Sequence, residues 1–292
     1  MPDSGIPEHG VGFYQQMFTL ASEAVLISIN TMRLHAFYPF WTSKAYHGLV
    51  ELRLTQRISN VFISEAHLQG ILQASPRLRI FEFGLRIVNS VPEGSVAPVR
   101  LDHLEVLNVH TMSYEFIPNF FQIVGPCSRP LHFSLSSTPN EDNPRLAFNS
   151  PSILRNFLSR TNITTVHAND FNKDEIVDIL GLCPNLQVLA WDGYNTPAEP
   201  ESSELISHPG LQSLFMIYCD VELNVFPRWI NLPALKNMVF YRCTFYQDGE
   251  AEDRLDERSV RKELPGVNVN VTFVGGDAPN PIDGWELFDS DS

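Results

Sequence analysis

The sequence predicts a mixed α/β fold in which short parallel strands alternate with helices, and three observations support that class. A short apolar pattern recurs along the chain, and its copies begin 23 to 33 residues apart. Apolar residues between the copies have the spacing of short helices. Proline often stands just before a strand, where it can end the preceding helix without breaking the strand pairing. With 43% hydrophobic and 18% charged residues and no compositional break, the chain is expected to fold as one elongated domain.

The recurring pattern places apolar residues at positions one, four and six of a short strand, which is the LxxLxL pattern of leucine-rich repeats. Its six clear copies are Leu49, Leu52, Leu54; Leu78, Phe81, Phe83; Leu104, Leu107, Val109; Leu186, Leu189, Trp191; Leu211, Leu214, Met216; and Leu235, Met238, Phe240. Four weaker copies are Ala24, Ile27, Ile29; Pro130, Phe133, Leu135; Ile163, Val166, Ala168; and Leu264, Val267, Val269.

One strand and one helix cannot enclose their apolar side chains, whereas stacked neighbours form a continuous core. The copies therefore predict a leucine-rich-repeat solenoid over residues 21–274, a curved right-handed stack of about nine or ten units. The parallel sheet would line its concave face and the helices its convex face. Residues 1–20 form an N-terminal flanking segment in this prediction, and residues 275–292 form an acidic C-terminal tail.

Local signals place individual residues in these units. Ser64 and Asn172 are predicted to begin helices because their side chains can accept hydrogen bonds from the first helical N–H groups. Cys219 and Cys243 stand where the repeat pattern permits Asn or Cys, so both are expected to be buried structural thiols.

Charge and targeting signals narrow the classes of partner. The net charge of -14 opposes binding to phosphate backbones, so no nucleic-acid partner is expected. The sequence has no apolar run that could span a bilayer and no signal-peptide pattern at its start, so we expect no membrane partner and a cytoplasmic or nuclear protein. The four cysteines have no metal-ligand spacing.

No common catalytic or nucleotide-binding motif is present. His110, His132 and His167 fall at similar places in their strands and could reach the concave surface. Ordinary surface contacts are favoured over a catalytic or metal-binding role, because no acidic cluster with ligand spacing accompanies these histidines. We therefore expect no enzyme activity, no catalytic residues, no cofactor and no metal.

Residues between the apolar strand positions should point out of the concave face, and in the C-terminal half they are more apolar. Exposed aromatic residues on a rigid surface are typical of an interface. The candidate partner-binding residues are Asp192, Tyr194, Phe215, Tyr218, Tyr241 and Arg242. In the alternative interpretation, the acidic segment 248–258 or the tail with Trp285 folds back and covers this patch.

Two stretches resemble a known family. The segment His47-Gly-Leu-Val-Glu-Leu-Arg-Leu54, followed by Leu68-Gln-Gly-Ile-Leu-Gln-Ala-Ser-Pro-Arg-Leu78, is similar to the leucine-rich-repeat region of the F-box proteins of mushroom-forming fungi. Pro39-Phe40-Trp41 resembles the proline-tryptophan turn that often precedes it. The resemblance implies a substrate-recognition subunit of SCF-type ubiquitin ligases.

The F-box itself, a helical module that opens with Leu-Pro and binds the cullin-ligase adaptor, has no counterpart before the repeats. Leu-Pro occurs only at Leu232-Pro233 and Leu264-Pro265, inside the repeat region. We therefore expect a protein-protein interaction domain that meets the adaptor only if an F-box is supplied. The alternative is a stand-alone repeat scaffold or inhibitor with no link to a ligase.

Overall fold

The structure is a computed structural model that describes residues 28–35, 37–56, 61–88, 97–111, 117–137, 152–193, 205–223, 225–247, 250–251, 257–273, 278–283 and 285. The chain divides into two compact units, Met1–Arg129 and Pro130–Ser292. In the described parts of both units, short strands recur along the chain and helices lie between several of them. Over those same residues, no helix has both the length and the apolar character needed to cross a membrane.

The first unit contains a parallel sheet of four described strands. Its strands in chain order are β1 (Thr31–Leu34), β2 (Glu51–Leu54), β3 (Phe62–Ser64), β4 (Ile80–Phe83), β5 (Arg86–Val88) and β6 (Val106–Thr111). Strands β1, β2, β4 and β6 pair in that order, while β3 and β5 form a separate parallel pair. Its helices are α1 (Glu65–Ala74), α2 (Ile117–Ile123) and a 3-10 helix at Lys44–Tyr46.

The second unit contains a parallel sheet of six described strands, β7, β8, β9, β11, β14 and β17 in spatial order. The strands of this unit are β7 (Leu131–Ser137), β8 (Ile163–Asn169), β9 (Val188–Asp192), β10 (Ile206–Ser207), β11 (Ser213–Ile217), β12 (Asp220–Glu222), β13 (Ile230–Asn231), β14 (Asn237–Tyr241), β15 (Thr244–Gln247), β16 (Glu250–Ala251) and β17 (Asn268–Thr272). Its helices are α3 (Ser152–Arg160), α4 (Lys173–Leu182), α5 (Phe226–Trp229) and α6 (Glu257–Glu263).

Strand pairing confirms the repeat register for the six clear copies. In the first unit Leu52 pairs with Phe81, and Phe81 pairs with Leu107. In the second unit Leu214 pairs with both Leu189 and Met238. The predicted apolar residues of these copies are buried in both units. The prediction of a mixed α/β fold with parallel strands recurring once per repeat is therefore confirmed.

The first and last copies were placed wrongly by the pattern. Met32 pairs with Leu52, so Met32 and Leu34 hold positions four and six of the first repeat. The predicted copy Ala24, Ile27, Ile29 precedes that strand, and its residues 24 and 27 lie outside the described residues. Met32 and Leu34 also alternate with polar neighbours, so apolar spacing alone did not distinguish their strand from the earlier copy.

In the last repeat, Met238 pairs with Val269 and Phe240 pairs with Val271. The predicted copy Leu264, Val267, Val269 is thus two residues too early. A shift of two residues keeps the same side chains on the same face of a strand, so the apolar pattern could not detect it. At β7 the first position is filled by buried Leu131 rather than by exposed Pro130, because an irregularity follows Leu131.

Helices pack on the core side of the strands. The Phe120 ring of α2 stacks on Phe83 of β4, with the ring centroids 5.0 Å apart, and the Phe157 ring of α3 lies 6.2 Å from Phe133 of β7. The predicted helix starts are confirmed. The Ser64 hydroxyl accepts a hydrogen bond from the His67 N–H at 3.2 Å, and Asn172 begins α4 with a capping box.

All four cysteines are free and buried, as the pattern predicted for Cys219 and Cys243. The Cys219 and Cys243 thiols donate to the carbonyl oxygens of Trp191 and Met216, each at 3.3 Å, which links consecutive repeats. Burial raises the pKa of Cys183 to about 12. Burial, with a smaller contribution from the charge of Asp102, raises the pKa of Cys127 to about 12.

Candidate functional site

The candidate surface lies on the face of the second unit's sheet that is opposite the helices, which we call the outer face. Asp192 is the last residue of β9, Phe215 lies on β11, and Tyr241 ends β14. Because Ile217 pairs with both Asp192 and Tyr241, these strands end in register. The structure therefore brings most of the predicted site residues together at one end of three adjacent strands, while Tyr194 lies outside the described residues.

The residues that follow the strands share an unusual backbone conformation. Asp170, Gly193, Tyr218 and Arg242 each come directly after a strand and have φ values of 61°, 75°, 51° and 53°. Each of their N–H groups donates to a carbonyl at the end of the next strand, for example Tyr218 to Tyr241 at 3.0 Å. Glycine adopts this left-handed conformation readily, whereas other residues are strained in it. These hydrogen bonds offset that strain.

These turns position two of the predicted site residues. The exposed Tyr218 ring meets the Tyr241 ring edge to face, with centroids 5.7 Å apart. The Arg242 guanidinium lies 5.2 Å from the centre of the same Tyr241 ring, within the range of a cation-π contact. Tyr218, Tyr241 and Arg242 thus form one connected group at the rim of the outer face.

The chain's own C-terminal segment, described at residues 278–283 and 285, covers part of the outer face. Ile282 is buried against Ala190, Ile217 and Tyr241, and Trp285 packs edge to face on Phe215 with centroids 5.3 Å apart. The Tyr241 hydroxyl donates to the Ala278 carbonyl at 3.1 Å. The Trp285 tail therefore covers the patch at Phe215 and Tyr241, as the alternative interpretation predicted.

This cover corrects the expected exposure of the site. Tyr241 is only 4% exposed, and Ile217 is fully buried. Strand alternation had suggested that both side chains would face solvent, but the C-terminal segment covers them instead. Phe215 and Asp192 are half-buried, and Tyr218, at 48%, is exposed. Of the acidic segment, Glu250–Ala251 pairs with β15, and Glu257 begins α6.

A row of hydrogen bonds on the outer face contains the residue types of a serine hydrolase triad. The Ser134 hydroxyl lies 3.1 Å from Nδ1 of His167, and Nε2 of His167 lies 3.4 Å from an Asp192 carboxylate oxygen. In hydrolases the nucleophile contacts Nε2 and the carboxylate contacts Nδ1, the reverse of this arrangement. Ser134 and His167 are also fully buried. The row therefore presents no nucleophile to a substrate and fixes the Asp192 side chain instead.

Sequence reasoning singled out His167 and, as a candidate binding residue, Asp192, but it did not connect them with each other or with Ser134. It compared His167 with His110 and His132, whose surroundings differ, since His132 is exposed and Nε2 of His110 contacts the Glu82 carboxylate at 3.1 Å. Ser134 and Asp192 occupy outward strand positions in the repeats before and after that of His167. These outward positions on neighbouring strands were the sequence signal that could have predicted the contacts. Among the residues that the structure describes, no group of three or more His, Cys, Asp or Glu could hold a metal ion.

The sheet of the first unit has a charged row on the face that points away from its apolar core positions. Glu51 accepts hydrogen bonds from Arg33 at 2.7 Å and from Arg53 at 2.6 Å, and Arg53 also contacts Glu82 at 3.1 Å. Burial raises the pKa of Glu51, but the hydrogen bonds and charges of Arg33 and Arg53 outweigh it and hold that pKa below its usual range. Each of these charged side chains therefore contacts an opposite charge on the same or a neighbouring strand.

The first unit also has apolar surface away from its sheet. Phe37 and Phe40 are exposed, and a cavity of about 300 Å³ opens between residues 41–47 and helix α1. Trp41 and Ile71 contribute to its lining, together with His67.

Comparisons with known proteins assign no family to the chain. No family model matches the chain, and no curated protein matches it. Among solved structures, the chain is similar to a crystal structure of a protein from Bacteroides fragilis, with a TM-score of 0.46 and 11% sequence identity. The match covers 85% of this chain and 66% of that protein, so the chain spans just under two thirds of its length.

Proposed function

We propose that this protein is a protein-binding repeat module whose ligand surface is the outer face of strands β9, β11 and β14. One observation supports the proposal above the others. Apolar side chains at outward positions, Ala190, Phe215, Ile217 and Tyr241, form a patch that a peptide segment already occupies. This face is therefore suited to holding a short segment of protein.

The strands on either side give the patch a polar border. The outward residues there that keep contact with solvent are Asn169 on β8, and Asn268, Asn270 and Thr272 on β17. An apolar centre with a polar rim is the usual composition of a protein interface. Tyrosine and arginine are also frequent among the residues that dominate binding energy, and Tyr218, Tyr241 and Arg242 form one group beside the patch.

The resemblance described above suggests one class for such a module, the substrate-recognition subunits of SCF-type ubiquitin ligases. That assignment depends on residues 47–54 and 68–78, which include strand β2 and most of helix α1. A stand-alone scaffold or inhibitor is the alternative, and recovery of the cullin-ligase adaptor with the purified chain would favour the ligase subunit over it. In either case the module needs no cofactor or catalytic residue, and we place it in the cytoplasm or nucleus.

Site-specific photo-crosslinking tests the proposed surface in the full chain. A photoreactive phenylalanine analogue replaces exposed Tyr218 at the border of the patch, and a control chain has it at Leu205, which is equally exposed. Irradiation in an extract of the source organism should give a discrete protein adduct from position 218 and none from position 205. Adducts of the same pattern from both positions, or none from position 218, would contradict the proposal.

A further inference from the structure

We infer that the partner presents a branched aliphatic residue followed three positions later by a large aromatic residue, and that it binds where the C-terminal segment of this chain lies. The inference rests on the proposed function and specifies the chemistry of the ligand. The basis for this motif is Ile282 and Trp285, two side chains of the described part of the segment that contact the outer face.

A compact turn holds these two side chains on one side of the segment. The Asn280 side-chain oxygen accepts a hydrogen bond from the Ile282 N–H at 3.2 Å, and the Asn280 carbonyl accepts one from the Asp283 N–H at 2.9 Å. The Trp285 N–H then donates to the Ile282 carbonyl at 3.1 Å. A partner that binds in the same way would present its two apolar residues from a similar turn.

The receiving surface distinguishes the two positions. Ile282 sits over Ala190, whose small side chain leaves room for a branched aliphatic group between Ile217 and Tyr241. The Trp285 and Phe215 rings meet edge to face, a geometry that favours an aromatic residue at this position of the partner. The Tyr241 hydroxyl donates to a backbone carbonyl of the segment, a contact that any sequence can supply. Selectivity therefore resides in the aliphatic and aromatic positions.

Because the segment belongs to the same chain, it competes with any partner for this surface. A tethered segment acts at a high effective concentration, and the apparent affinity for a free ligand falls with the fraction of sites left open. A variant that releases the segment should therefore bind a free peptide more tightly than the natural chain does.

The test uses the full chain and a fluorescent peptide with the sequence of residues 276–290 as the probe. In the release variant, Ile282→Ala and Trp285→Ala remove both apolar contacts, and a second variant has Trp285→Ala alone so that Ile282 still covers Ala190. Fluorescence anisotropy should show saturable binding to the release variant, weaker binding to the single variant, and affinity for the natural chain lower by about tenfold or more.

Two controls address the chemistry of recognition. A probe with Trp285→Ala should bind the release variant at least about tenfold more weakly, the loss expected for one interface anchor. Ala190→Leu added to the release variant should reduce binding similarly by filling the space for the aliphatic group. Circular dichroism establishes that each variant is folded, and the single variant provides the test if the release variant is not.

Absence of saturable binding to both folded variants, or equal binding of the altered probe, would overturn the inference. The proposed function would survive that result if position 218 still captured a discrete protein. Probe binding without any adduct at position 218 would instead overturn the proposed function, and with it the inference about a partner.

Discussion

At the scale of single residues, Glu51 shows how the first unit keeps charge buried on a sheet face. Its carboxylate and the Arg53 side chain are both nearly excluded from solvent, which is unfavourable for either charge alone. Arg33 and Arg53 both donate to one carboxylate oxygen of Glu51, and Arg53 reaches on to Glu82. The charged row is stable because each buried charge has an opposite charge on the same or a neighbouring strand.

Glu51→Gln should lower stability in a pH-dependent way. The pKa of Glu51 is depressed in the folded chain, so its contribution is present above the unfolded pKa of about 4.3 and is lost as pH falls through the folded value. Urea unfolding should show a loss on the order of 1 to 3 kcal/mol at neutral pH. The difference between variant and natural chain should shrink towards pH 3.

Glu105→Gln is the matched control for this measurement. A hydrogen bond from Arg79 is the main cause that lowers the pKa of Glu105, but this pair is largely exposed. Exposed ion pairs contribute little, so the change should stay within about 1 kcal/mol. A loss for Glu51→Gln that remained constant from pH 7 to pH 3 would show that packing, and not charge, is the cause.

Tyr241 is a second residue whose role depends on its surroundings. Its ring is buried under Ile282 and contacts Tyr218 and Arg242, and its hydroxyl bonds to Ala278. Substitution of Tyr241 by Ala would therefore remove packing as well as any contact with a partner. Tyr218 is the better probe of binding because its ring remains exposed.

At the scale of secondary-structure elements, the strand exits of the second unit repeat one geometry. Asp170, Gly193, Tyr218 and Arg242 each adopt a left-handed conformation after their strands, and only one of them is glycine. Each turn continues the hydrogen bonding from one strand end to the next. Regular stacking of the repeats thus outweighs the local preference of Asp, Tyr and Arg for other conformations.

Asn172→Ala should destabilise helix α4 at its first turn. The Asn172 side chain accepts from the Glu175 N–H at 2.9 Å, and the Glu175 carboxylate accepts from the Asn172 N–H at 2.7 Å. Loss of this capping box should lower the free energy of unfolding by about 0.5 to 2 kcal/mol, measured by urea denaturation. Asn185→Ala, which removes an exposed contact with Asn162, is the control and should change it by less than about 0.5 kcal/mol. Equal losses would argue against a capping role.

At the scale of the whole molecule, stability comes from repetition within each compact unit. In each unit, every described strand of the main parallel pairing contributes apolar residues from the same positions of its repeat, and neighbouring strands align those positions. Each repeat therefore stabilises the next, as expected of an array of units that cannot enclose a core alone.

Leu107→Ala should disturb the core of the first unit strongly, because Leu107 is fully buried at position four of its repeat and pairs with Phe81. We expect a loss of about 2 to 5 kcal/mol in the free energy of unfolding, measured by urea denaturation. Leu205→Ala makes the same chemical change at an exposed position and should cost no more than about 0.5 kcal/mol. An unchanged unfolding curve for Leu107→Ala would contradict the assigned register.

The sequence by itself determined the repeat architecture where local patterns were strong. The positions of Leu52, Leu107 and Leu214 in their strands, and the helix starts at Ser64 and Asn172, were all predictable. Each depends on residues only a few positions apart: strand alternation decides which side chains face the core, and a cap bonds to its own first turn. Where the local pattern was weak, at the first and last repeats, the register was misplaced.

Only the tertiary structure decided what lies against the outer face. Strand alternation directs Tyr241 away from the core, but its burial depends on Ile282, which arrives from beyond the last strand. In the same way, Ser134, His167 and Asp192 meet because three strands align, although the residues are far apart in sequence. Local patterns specify the side of a strand on which a residue lies. Contacts between distant residues depend instead on the path of the whole chain, which no local pattern specifies.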